Sequence, residues 1–246
     1  MENPNQAVDF SLIIACYNDA PHLYDHSIQL FHFLSKSKYT FEFIFVDDCS
    51  KDHTKSEIFR ADTFLKKMGI CSQTIFKSKN EGRGKAICDA SELCTGRFFG
   101  FIDIDLEPLM DGLIPMLMML ENAQADLVVG RRSIANAEAK PIRVICSYVY
   151  RWIAHFALPL PISDTECGLK VFNRQKVLPV MHKCIDPHWF WDTEIVHRAL
   201  IGGLQVKEHW IVFFEDRNKQ STVRLIPDIW KYLKAIRKHK RSLRNL

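Results

Sequence analysis

Short apolar runs alternate with stretches of helical spacing over the first 130 residues of the chain. Runs of this kind, bounded by turn residues, are typical of buried strands. They predict strands over Phe10–Cys16, Phe41–Val46, Gln73–Phe76, Phe98–Ile102 and Leu127–Gly130. The intervening segments predict helices over His22–Ser35, Lys55–Met68, a segment ending near Leu93, and Leu113–Ala123. Strands and helices that alternate over short connections indicate a mainly parallel sheet flanked by helices.

The second half of the chain has a less regular pattern, without an internal repeat or a Gly/Ser linker. We predict one α/β domain over residues 8–225, Rossmann-like in architecture, and an amphipathic helical tail over residues 226–246. Within the domain, the pattern predicts helices over Ile142–Leu158 and Asp192–Ile201, strands within Glu166–Asn173 and over Val206–Phe214, and a polar loop over Arg132–Pro141.

The composition is that of a folded globular protein. Of its 246 residues, 47% are hydrophobic and 25% are charged, which excludes a disordered chain. The eight cysteines have neither Cys-x-x-Cys nor zinc-finger spacing, so we expect reduced thiols in a cytoplasmic protein. The polar N-terminus does not resemble a signal peptide. The most apolar stretch, Val144–Ile162, is interrupted by Arg151 and two prolines, so no transmembrane helix is expected.

Every predicted strand in the first half is followed by a polar cluster. Ligands of parallel sheets bind in the crevice beyond the carboxyl ends of the strands. We therefore expect these clusters to converge on one site. They occupy residues 17–19, 47–54, 80–86, 103–107 and 130–132.

Two carboxylates follow the fourth predicted strand. Asp103 and Asp105 are two residues apart, so on an extended chain they point to the same side. Neighbouring carboxylates repel unless a positive group lies between them, and Mg²⁺ or Mn²⁺ prefers such oxygen ligands. Glu107 would point the same way and is a candidate third ligand. The alternative for this short motif is a polar strand end capped by a turn.

The clusters at 47–54 and 80–86 each allow two interpretations. Asp48 suits hydrogen bonds from a nucleobase, whereas Asp52 and Thr54 suit helix capping. Gly82 and Gly84 match neither the dinucleotide fingerprint nor the phosphate loop of nucleotide triphosphatases. This segment is either a helix N-terminus that approaches an anion, with Arg83 or Lys85 nearby, or a plain glycine turn. Cations that could hold a diphosphate or an anionic acceptor, or simply face solvent, are Arg131, Arg132, Arg143 and Lys170.

Taken together, the motifs resemble family 2 glycosyltransferases of GT-A fold. The resemblance covers roughly residues 10–225 and rests on the order of the motifs. The later ones look like dolichyl- and polyprenyl-phosphate sugar synthases, and the 164–172 phrase is most similar to the dolichyl-phosphate glucose branch. The motifs are Tyr17-Asn18-Asp19, Asp47-Asp48-x-Ser50-x-Asp52-x-Thr54, Asn80-x-Gly82-x-Gly84-x-Ala86, Asp103-x-Asp105, Gly130-x-Arg132, Asp164-Thr165-Glu166-Cys167-Gly168-Leu169-Lys170-Val171-Phe172 and Trp191-Asp192-Thr193-Glu194.

The resemblance implies metal-dependent, inverting transfer of a hexose from a nucleotide diphosphate sugar. It implies a nucleotide-sugar half over residues 8–130 and an acceptor half over 131–225. The implied metal ligands are Asp103, Asp105 and Glu107, and the implied catalytic acids are Asp105, Asp192 and Glu194. Arg132, Arg143 and Lys170 would bind donor or acceptor phosphate. The implied donor-binding residues are Ala15, Tyr17, Asn18, Asp19, Asp48, Asn80, Gly82, Lys85, Asp103 and Ile104.

The donor and the acceptor stay open at this point. The donor is of the UDP-glucose or GDP-mannose type. A polyprenyl-phosphate acceptor is already anionic and needs no strong base, whereas a saccharide or lipopolysaccharide hydroxyl needs one, with Asp192 or Glu194 as the candidate. A further alternative is a catalytically silent module that binds nucleotide sugars. Two departures from relatives bear on the site, namely Asp19 in place of Glu and Asp-Ile-Asp-Leu-Glu in place of the commoner Asp-Ala-Asp.

The tail is basic and amphipathic. Its apolar residues recur at helical spacing, and seven cations follow Asp228 without an acid. Such a helix indicates a peripheral protein at the cytoplasmic face of a membrane, whereas the alternative is a terminal helix packed on the domain. Nucleic acid is not an expected partner. The apolar set is Ile226, Ile229, Trp230, Leu233 and Ile236, and the cations are Lys231, Lys234, Arg237, Lys238, Lys240, Arg241 and Arg244.

Overall fold

The computed structural model describes residues 7–105, 110–134, 153–213 and 225–244. Its strands are β1 (Phe10–Cys16), β2 (Phe41–Asp47), β3 (Ser72–Phe76), β4 (Phe98–Ile102), β5 (Leu127–Ile134), β6 (Leu169–Asn173) and β7 (Val206–Phe213). Its helices are α1 (Ala20–Leu34), α2 (Thr54–Lys67), α3 (Arg83–Ser91), α4 (Leu113–Glu121), α5 (153–157), α6 (Arg174–Met181), α7 (Trp191–Ile201) and α8 (Leu225–Leu243). A single 3₁₀ turn, Met110–Gly112, precedes α4.

The strands form one seven-stranded sheet in the order β3-β2-β1-β4-β6-β5-β7. Strand β6 runs antiparallel to both of its neighbours, and the other described strands are parallel to one another. The carboxyl ends of β1, β2, β3, β4, β5 and β7 therefore lie at one edge of the sheet, while β6 begins at that edge. The prediction of a mainly parallel α/β sheet is confirmed.

The core lies on both faces of this sheet. Strands β1 and β4 are buried along almost their whole length, as is typical of central parallel strands covered by helices on both sides. Aromatic rings connect neighbouring strands, and Phe99 of β4 stacks on Phe172 of β6 with ring centroids 4.8 Å apart. This packing fixes the end of β4, from which Asp103 and Asp105 follow.

Two elements differ from the sequence-based prediction. Strand β5 continues beyond Gly130 to Ile134 because β7 pairs with it along that whole length, so the polar residues after 130 are still in a strand. Helix α6 was not predicted, since Pro179 lies inside it and obscures the helical pattern. Its N-cap is Asn173, whose side chain accepts a hydrogen bond from the Lys176 N–H. Of the predicted helix Ile142–Leu158, only residues 153–157 are described, and they are helical.

Helix α8 packs on the domain through one of its faces. Tyr232 and Ile236 join a small apolar cluster with Phe190, Ala154 and Leu158. The side chain of His239, one turn further on, is fully buried. One face of α8 is therefore packed on the domain, as the alternative interpretation of the tail predicts. The seven cations of α8 and its continuation are exposed. Within the described segments, no helix is long and apolar enough to span a bilayer.

Candidate active site

The loops after β1 and β2 are joined by hydrogen bonds. Asn18, at a φ of 58°, donates from its backbone N–H to the Ser50 hydroxyl (2.9 Å), and its side-chain oxygen accepts from the Lys51 N–H (2.9 Å). Asp19 accepts from the Tyr17 N–H and donates its own N–H to Thr54. These contacts place the first two polar clusters beside each other, as the sequence predicts.

Asp48 links the second cluster to the third. Its carboxylate is almost fully buried and accepts hydrogen bonds from the N–H groups of Glu81 (2.9 Å) and Gly82 (2.7 Å). The Lys77 ammonium lies 3.7 Å from the same carboxylate. Asp48 thus orders the glycine segment, and its predicted contact with a nucleobase would have to use the remaining lone pairs of these oxygens.

The two glycines of this segment are required by close packing. A Cβ on Gly82, which has a φ of 103°, would lie 2.1 Å from the His188 ring, and one on Gly84 would lie 2.4 Å from Trp191. The Lys85 N–H donates to the carbonyl of Pro187 at the start of α3. The segment 187–191 therefore covers the N-terminal turn of α3. This helix end is not open to an anion in the way that the anion-binding interpretation requires.

Asp103 lies directly after β4 and is held from two sides. The Arg83 guanidinium donates to one of its carboxylate oxygens from Nη2 (2.7 Å) and Nε (3.2 Å). The backbone N–H of Asp103 donates to the Gly168 carbonyl, and a Cβ on Gly168 would lie 1.8 Å from the other carboxylate oxygen of Asp103. Burial raises the pKa of Asp103, Arg83 lowers it, and the nearby charge of Asp105 raises it again.

Asp192, at the start of α7, accepts from two cations. Lys170 of β6 donates to one carboxylate oxygen and Arg83 to the other. Lys170 is fully buried and also donates to the Cys167 carbonyl at 2.8 Å. Both cations lie over the ring of Phe101, with Arg83 Cζ 4.8 Å and Lys170 Nζ 5.2 Å from its centroid. The result is a chain of alternating charges, Asp103–Arg83–Asp192–Lys170, which is buried at its Asp192–Lys170 end and partly exposed at Asp103.

A second charged group lies beside this chain. Arg132 of β5 forms a two-pronged ion pair with Asp164, through Nε at 2.7 Å and Nη2 at 2.8 Å. Burial raises the pKa of Glu166 to about 7, against the lowering effect of Arg132. Glu166 also accepts a hydrogen bond from Tyr232 of α8. The fifth polar cluster is thereby connected, through residues 164–168, to Asp103.

Glu194 has a different set of partners. It accepts from the N–H groups of Ile185 and Asp186 and from Arg198 Nε at 2.7 Å. Burial alone would raise its pKa, but hydrogen bonds from His239, Arg198 and the backbone lower it. Asp192 and Glu194, predicted as a pair of acids, are thus separated in their contacts, because residues two apart on a helix point in different directions.

The other predicted site residues occupy varied positions. Lys85 forms an ion pair with Asp89, and the carbonyl of Ile104 lies 2.5 Å from His26 Nδ1. Ala15 is half-buried in β1, whereas Tyr17 and Asn80 are exposed. Glu107 and Arg143 lie outside the described residues.

A divalent cation fits the end of β4. The described residues contain no group of three metal-binding side chains, but Mg²⁺ commonly uses one or two carboxylates and completes its shell with substrate phosphates and water. Asp103 and Asp105 provide hard oxygen ligands of this kind. The Asp103 carboxylate occupies space that a side chain at position 168 would fill, so Gly168 is needed for this ligand position.

The sequence interpretation named Arg83 only as a cation near a possible anion, and it missed the ion pairs that Arg83 and Asp164 form. Arg83 lies inside the glycine segment, so an arginine between two glycines was the available signal. Its contact with Asp192 joins residues 109 positions apart, which no local pattern reveals. Asp164 was noted only as part of a motif, and its role as the partner of Arg132 appears only in the fold.

Sequence relatives are sugar transferases. The chain is 30% identical over 129 residues to glycosyltransferase AglD of Haloferax volcanii, which is 52% of this chain and 21% of that protein. It is 25% identical over 265 residues to dolichyl-phosphate beta-glucosyltransferase of Dictyostelium discoideum, covering 97% and 79% of the two chains. The corresponding Saccharomyces cerevisiae protein is 26% identical, with coverage of 83% and 66%. The chain thus spans about a fifth of AglD and larger shares of the others.

Solved structures share the fold. Glucosyl-3-phosphoglycerate synthase from Mycobacterium tuberculosis, in complex with Mn²⁺, UDP and its product, aligns with a TM-score of 0.64 at 12% identity, over 96% of this chain and 78% of that one. Mannosyltransferase PcManGT from Pyrobaculum calidifontis, with GDP-Man and Mn²⁺, aligns with a TM-score of 0.57 at 19% identity, over 87% and 59%. The fold is therefore GT-A. The profile of glycosyl transferase family 2 matches residues 11–178, most of the chain, and the protein belongs to that family of glycosyltransferases.

Proposed function

We propose that this glycosyltransferase moves a hexose, with inversion, from a nucleotide diphosphate sugar to a polyprenyl or dolichyl phosphate and depends on Mg²⁺ or Mn²⁺. Relatives named as dolichyl-phosphate glucosyltransferases and a dodecaprenyl-phosphate galacturonate synthase support the lipid phosphate. Neighbouring folds crystallised with Mn²⁺ and a nucleotide or nucleotide sugar support the metal and the donor class.

The state of the candidate bases is the observation that carries the choice of acceptor. The two oxygens of Asp192 are engaged by the buried Lys170 and the half-buried Arg83, and Glu194 accepts from two backbone N–H groups and from Arg198. Neither carboxylate is therefore available as a general base for a sugar hydroxyl. A lipid phosphate is already anionic near neutral pH and needs no such base.

The residues around Asp103 have complementary tasks in this proposal. Asp103 and Asp105, with Glu107 as a further candidate, would hold the metal. When bound, the metal supplies positive charge that stabilises the departing nucleoside diphosphate. Arg132 and Lys170, together with Arg143, would hold phosphate groups in place for attack on the anomeric carbon. Lys170 is fully buried and paired with Asp192, so its predicted contact with a phosphate requires this ion pair to open.

The donor site would lie over the loops after β1, β2 and β3. Asp48 would accept from the base, while Tyr17, Asn18, Asp19 and Asn80 would line the nucleotide. A single acceptor carboxylate suits the N3–H of uracil, and the relatives' names favour a glucosyl over a mannosyl donor. Because the acceptor would be carried by a membrane, the protein would act as a peripheral protein at its cytoplasmic face.

A transfer assay tests the proposal. Purified full-length protein is incubated with labelled UDP-glucose or GDP-mannose, Mn²⁺, and either a polyprenyl phosphate or a saccharide. We expect label to extract into organic solvent with the lipid. Asp103→Asn and Asp105→Asn should each lower the rate at least ~100-fold, the scale for loss of a group that stabilises developing charge. Asp111→Asn, on an exposed aspartate of the 3₁₀ turn, is the matched control.

Three outcomes would contradict parts of the proposal. Label in a water-soluble saccharide product would favour the hydroxyl acceptor. Binding of the donor without transfer to either acceptor would favour a catalytically silent nucleotide-sugar module. Activity near wild type in Asp103→Asn and Asp105→Asn would refute the metal assignment.

A further inference from the structure

Three exposed aromatic side chains border one buried cluster. Phe156, Trp189 and Trp230 are 83%, 72% and 57% exposed. Each is a close chain neighbour of a member of the cluster formed by Ala154, Leu158, Phe190, Tyr232 and Ile236. Exposed tryptophan and phenylalanine side chains on elements that share one buried cluster are candidates for contact with a partner.

The outer face of α8 adds positive charge to this region. Residues 229–244 contain seven lysines and arginines, all exposed, and no acidic residue. Lys234, Arg237 and Arg241 lie at helical spacing on the solvent side, whereas Tyr232, Ile236 and His239 face the protein. We call the three aromatics and the α8 cations together the basic-aromatic patch.

The patch is physically connected to the candidate active site. Phe190 packs edge-on against Tyr232, with ring centroids 5.3 Å apart, and it belongs to the segment that covers the glycines of α3. The Tyr232 hydroxyl lies 2.9 Å from the Thr193 hydroxyl, next to Asp192 in α7. A partner bound to the patch would therefore be close to the acceptor half of the site.

We propose that the basic-aromatic patch docks the protein on the surface of an anionic lipid bilayer. Tryptophan and phenylalanine favour the headgroup region, and lysine and arginine are attracted to anionic lipids. The charge complementarity favours a lipid surface over a protein partner. The inference rests on the proposed function, because a lipid-linked acceptor requires the enzyme to reach a bilayer. It adds which side of the molecule meets the membrane.

This orientation differs from the one that the tail sequence predicts. Helical spacing groups Ile229, Trp230 and Ile236 as one apolar side that would enter the lipid. In the fold Ile236 is buried against the domain and Ile229 is half-buried, while Trp230 is exposed. Lipid contact would thus come from the basic side of α8 with Trp230, and from Phe156 and Trp189 outside the tail.

Vesicle sedimentation with the full-length protein tests the patch without any substrate. The vesicles contain phosphatidylcholine alone, or phosphatidylcholine with phosphatidylglycerol. We expect binding to the anionic vesicles, weakened by salt, and little binding to the neutral ones. Lys234→Gln/Arg237→Gln/Arg241→Gln should lower the partition constant on the order of a hundredfold, roughly five-fold for each lost charge. Lys36→Gln/Lys66→Gln/Lys67→Gln, with equally exposed lysines elsewhere, should bind like wild type.

The aromatic part has its own variants. Phe156→Ser/Trp189→Ser should lower binding to anionic vesicles, whereas Phe59→Ser, at an exposed phenylalanine of α2, should not. Circular dichroism of each variant checks that it is folded. Equal binding of wild type and charge variant, or no binding to anionic vesicles, would overturn the proposal. Vesicle binding that persists when no sugar transfer is detected would leave the patch standing and refute only the proposed reaction.

Discussion

At the scale of single residues, Asp192 is a buried carboxylate that contacts two cations. Its carboxylate lies between Lys170, which is fully buried, and Arg83, which also holds Asp103. A buried ion pair adds little net stability compared with apolar residues, but removing one partner leaves an uncompensated charge in the interior. The loss of unfolding free energy on substitution of Asp192 therefore measures how strongly the site depends on this one carboxylate.

Asp192→Asn should destabilise the fold by about 3 kcal/mol, because the fully buried Lys170 would lose its counter-charge, whereas Arg83 would keep Asp103. Urea unfolding of wild type and variant measures the difference. Glu57→Gln removes the half-buried partner of the exposed Arg60 and should cost no more than about 0.5 kcal/mol. Equal losses in the two variants would show that the chain of charges at Asp192 is not a buried network.

Gly168→Ala should weaken donor binding in the presence of Mn²⁺ by about tenfold or more, since a displacement on the scale of 1 Å at a polar site has effects of this size. The new Cβ would lie 1.8 Å from an Asp103 oxygen, so the carboxylate must move. Isothermal titration with the nucleotide and Mn²⁺ measures the effect. Gly202→Ala, where the nearest atom is 3.1 Å away, is the control and should bind as wild type does.

At the scale of elements, α8 is fastened to α7 by polar contacts as well as by apolar packing. His197 Nδ1 and His239 Nε2 lie 2.9 Å apart, and both rings are buried. Burial, and then the charges of His239, Arg198 and Lys240, lower the pKa of His197 to about 4, against the raising effect of Glu194. In the folded protein His197 is therefore neutral at physiological pH.

This environment makes stability depend on pH. The unfolded chain binds a proton at His197 near its ordinary pKa of 6.5, whereas the folded chain does so only near 4. The contribution is fully present above pH 6.5 and is lost as the pH falls towards 4. We expect this one group to lower stability by about 2 kcal/mol between pH 8 and pH 5.

His197→Gln should reduce that fall, as measured by urea unfolding at both pH values. His53→Gln, at an exposed histidine, should leave the difference between the two pH values as it is in wild type. An unchanged pH dependence in His197→Gln would contradict a depressed pKa at His197.

The local sequence pattern was sufficient to predict most strands and helices, but it could not predict which elements contact one another. The apolar runs at Phe10–Cys16 and Phe98–Ile102 coincide with β1 and β4, because buried parallel strands need continuous apolar sequence. The same reasoning placed the acids after β4. It could not show that Lys170 comes from an antiparallel strand, or that segment 187–191 packs on Gly82 and Gly84. These contacts arise from chain segments far apart in sequence.

For the whole molecule, the loops that we propose bind the donor and the residues that we propose bind the acceptor lie along one sheet edge, so a ligand bound there should stabilise the entire domain. With Mn²⁺ and the correct nucleotide diphosphate at about 100 times its dissociation constant, we expect the midpoint of thermal unfolding to rise by about 5–10 °C. A panel of UDP, GDP and ADP with and without Mn²⁺ identifies the base. Asp103→Asn should lose the metal-dependent part of the rise, and equal shifts with all three nucleotides would contradict a specific base site.

The pairing of β4 with β6 also has a consequence for the order in which the chain folds. Phe98 is opposite Asn173 in this pairing, so the partner of the most apolar strand is synthesised long after the first four strands. Until then, β1 to β4 expose one unpaired edge made of Phe-Phe-Gly-Phe-Ile. Unprotected apolar edges of this kind recruit other chains. A nascent chain that stalls before residue 169 would therefore be prone to aggregate, and the folded protein would accumulate only after β6 has closed the sheet.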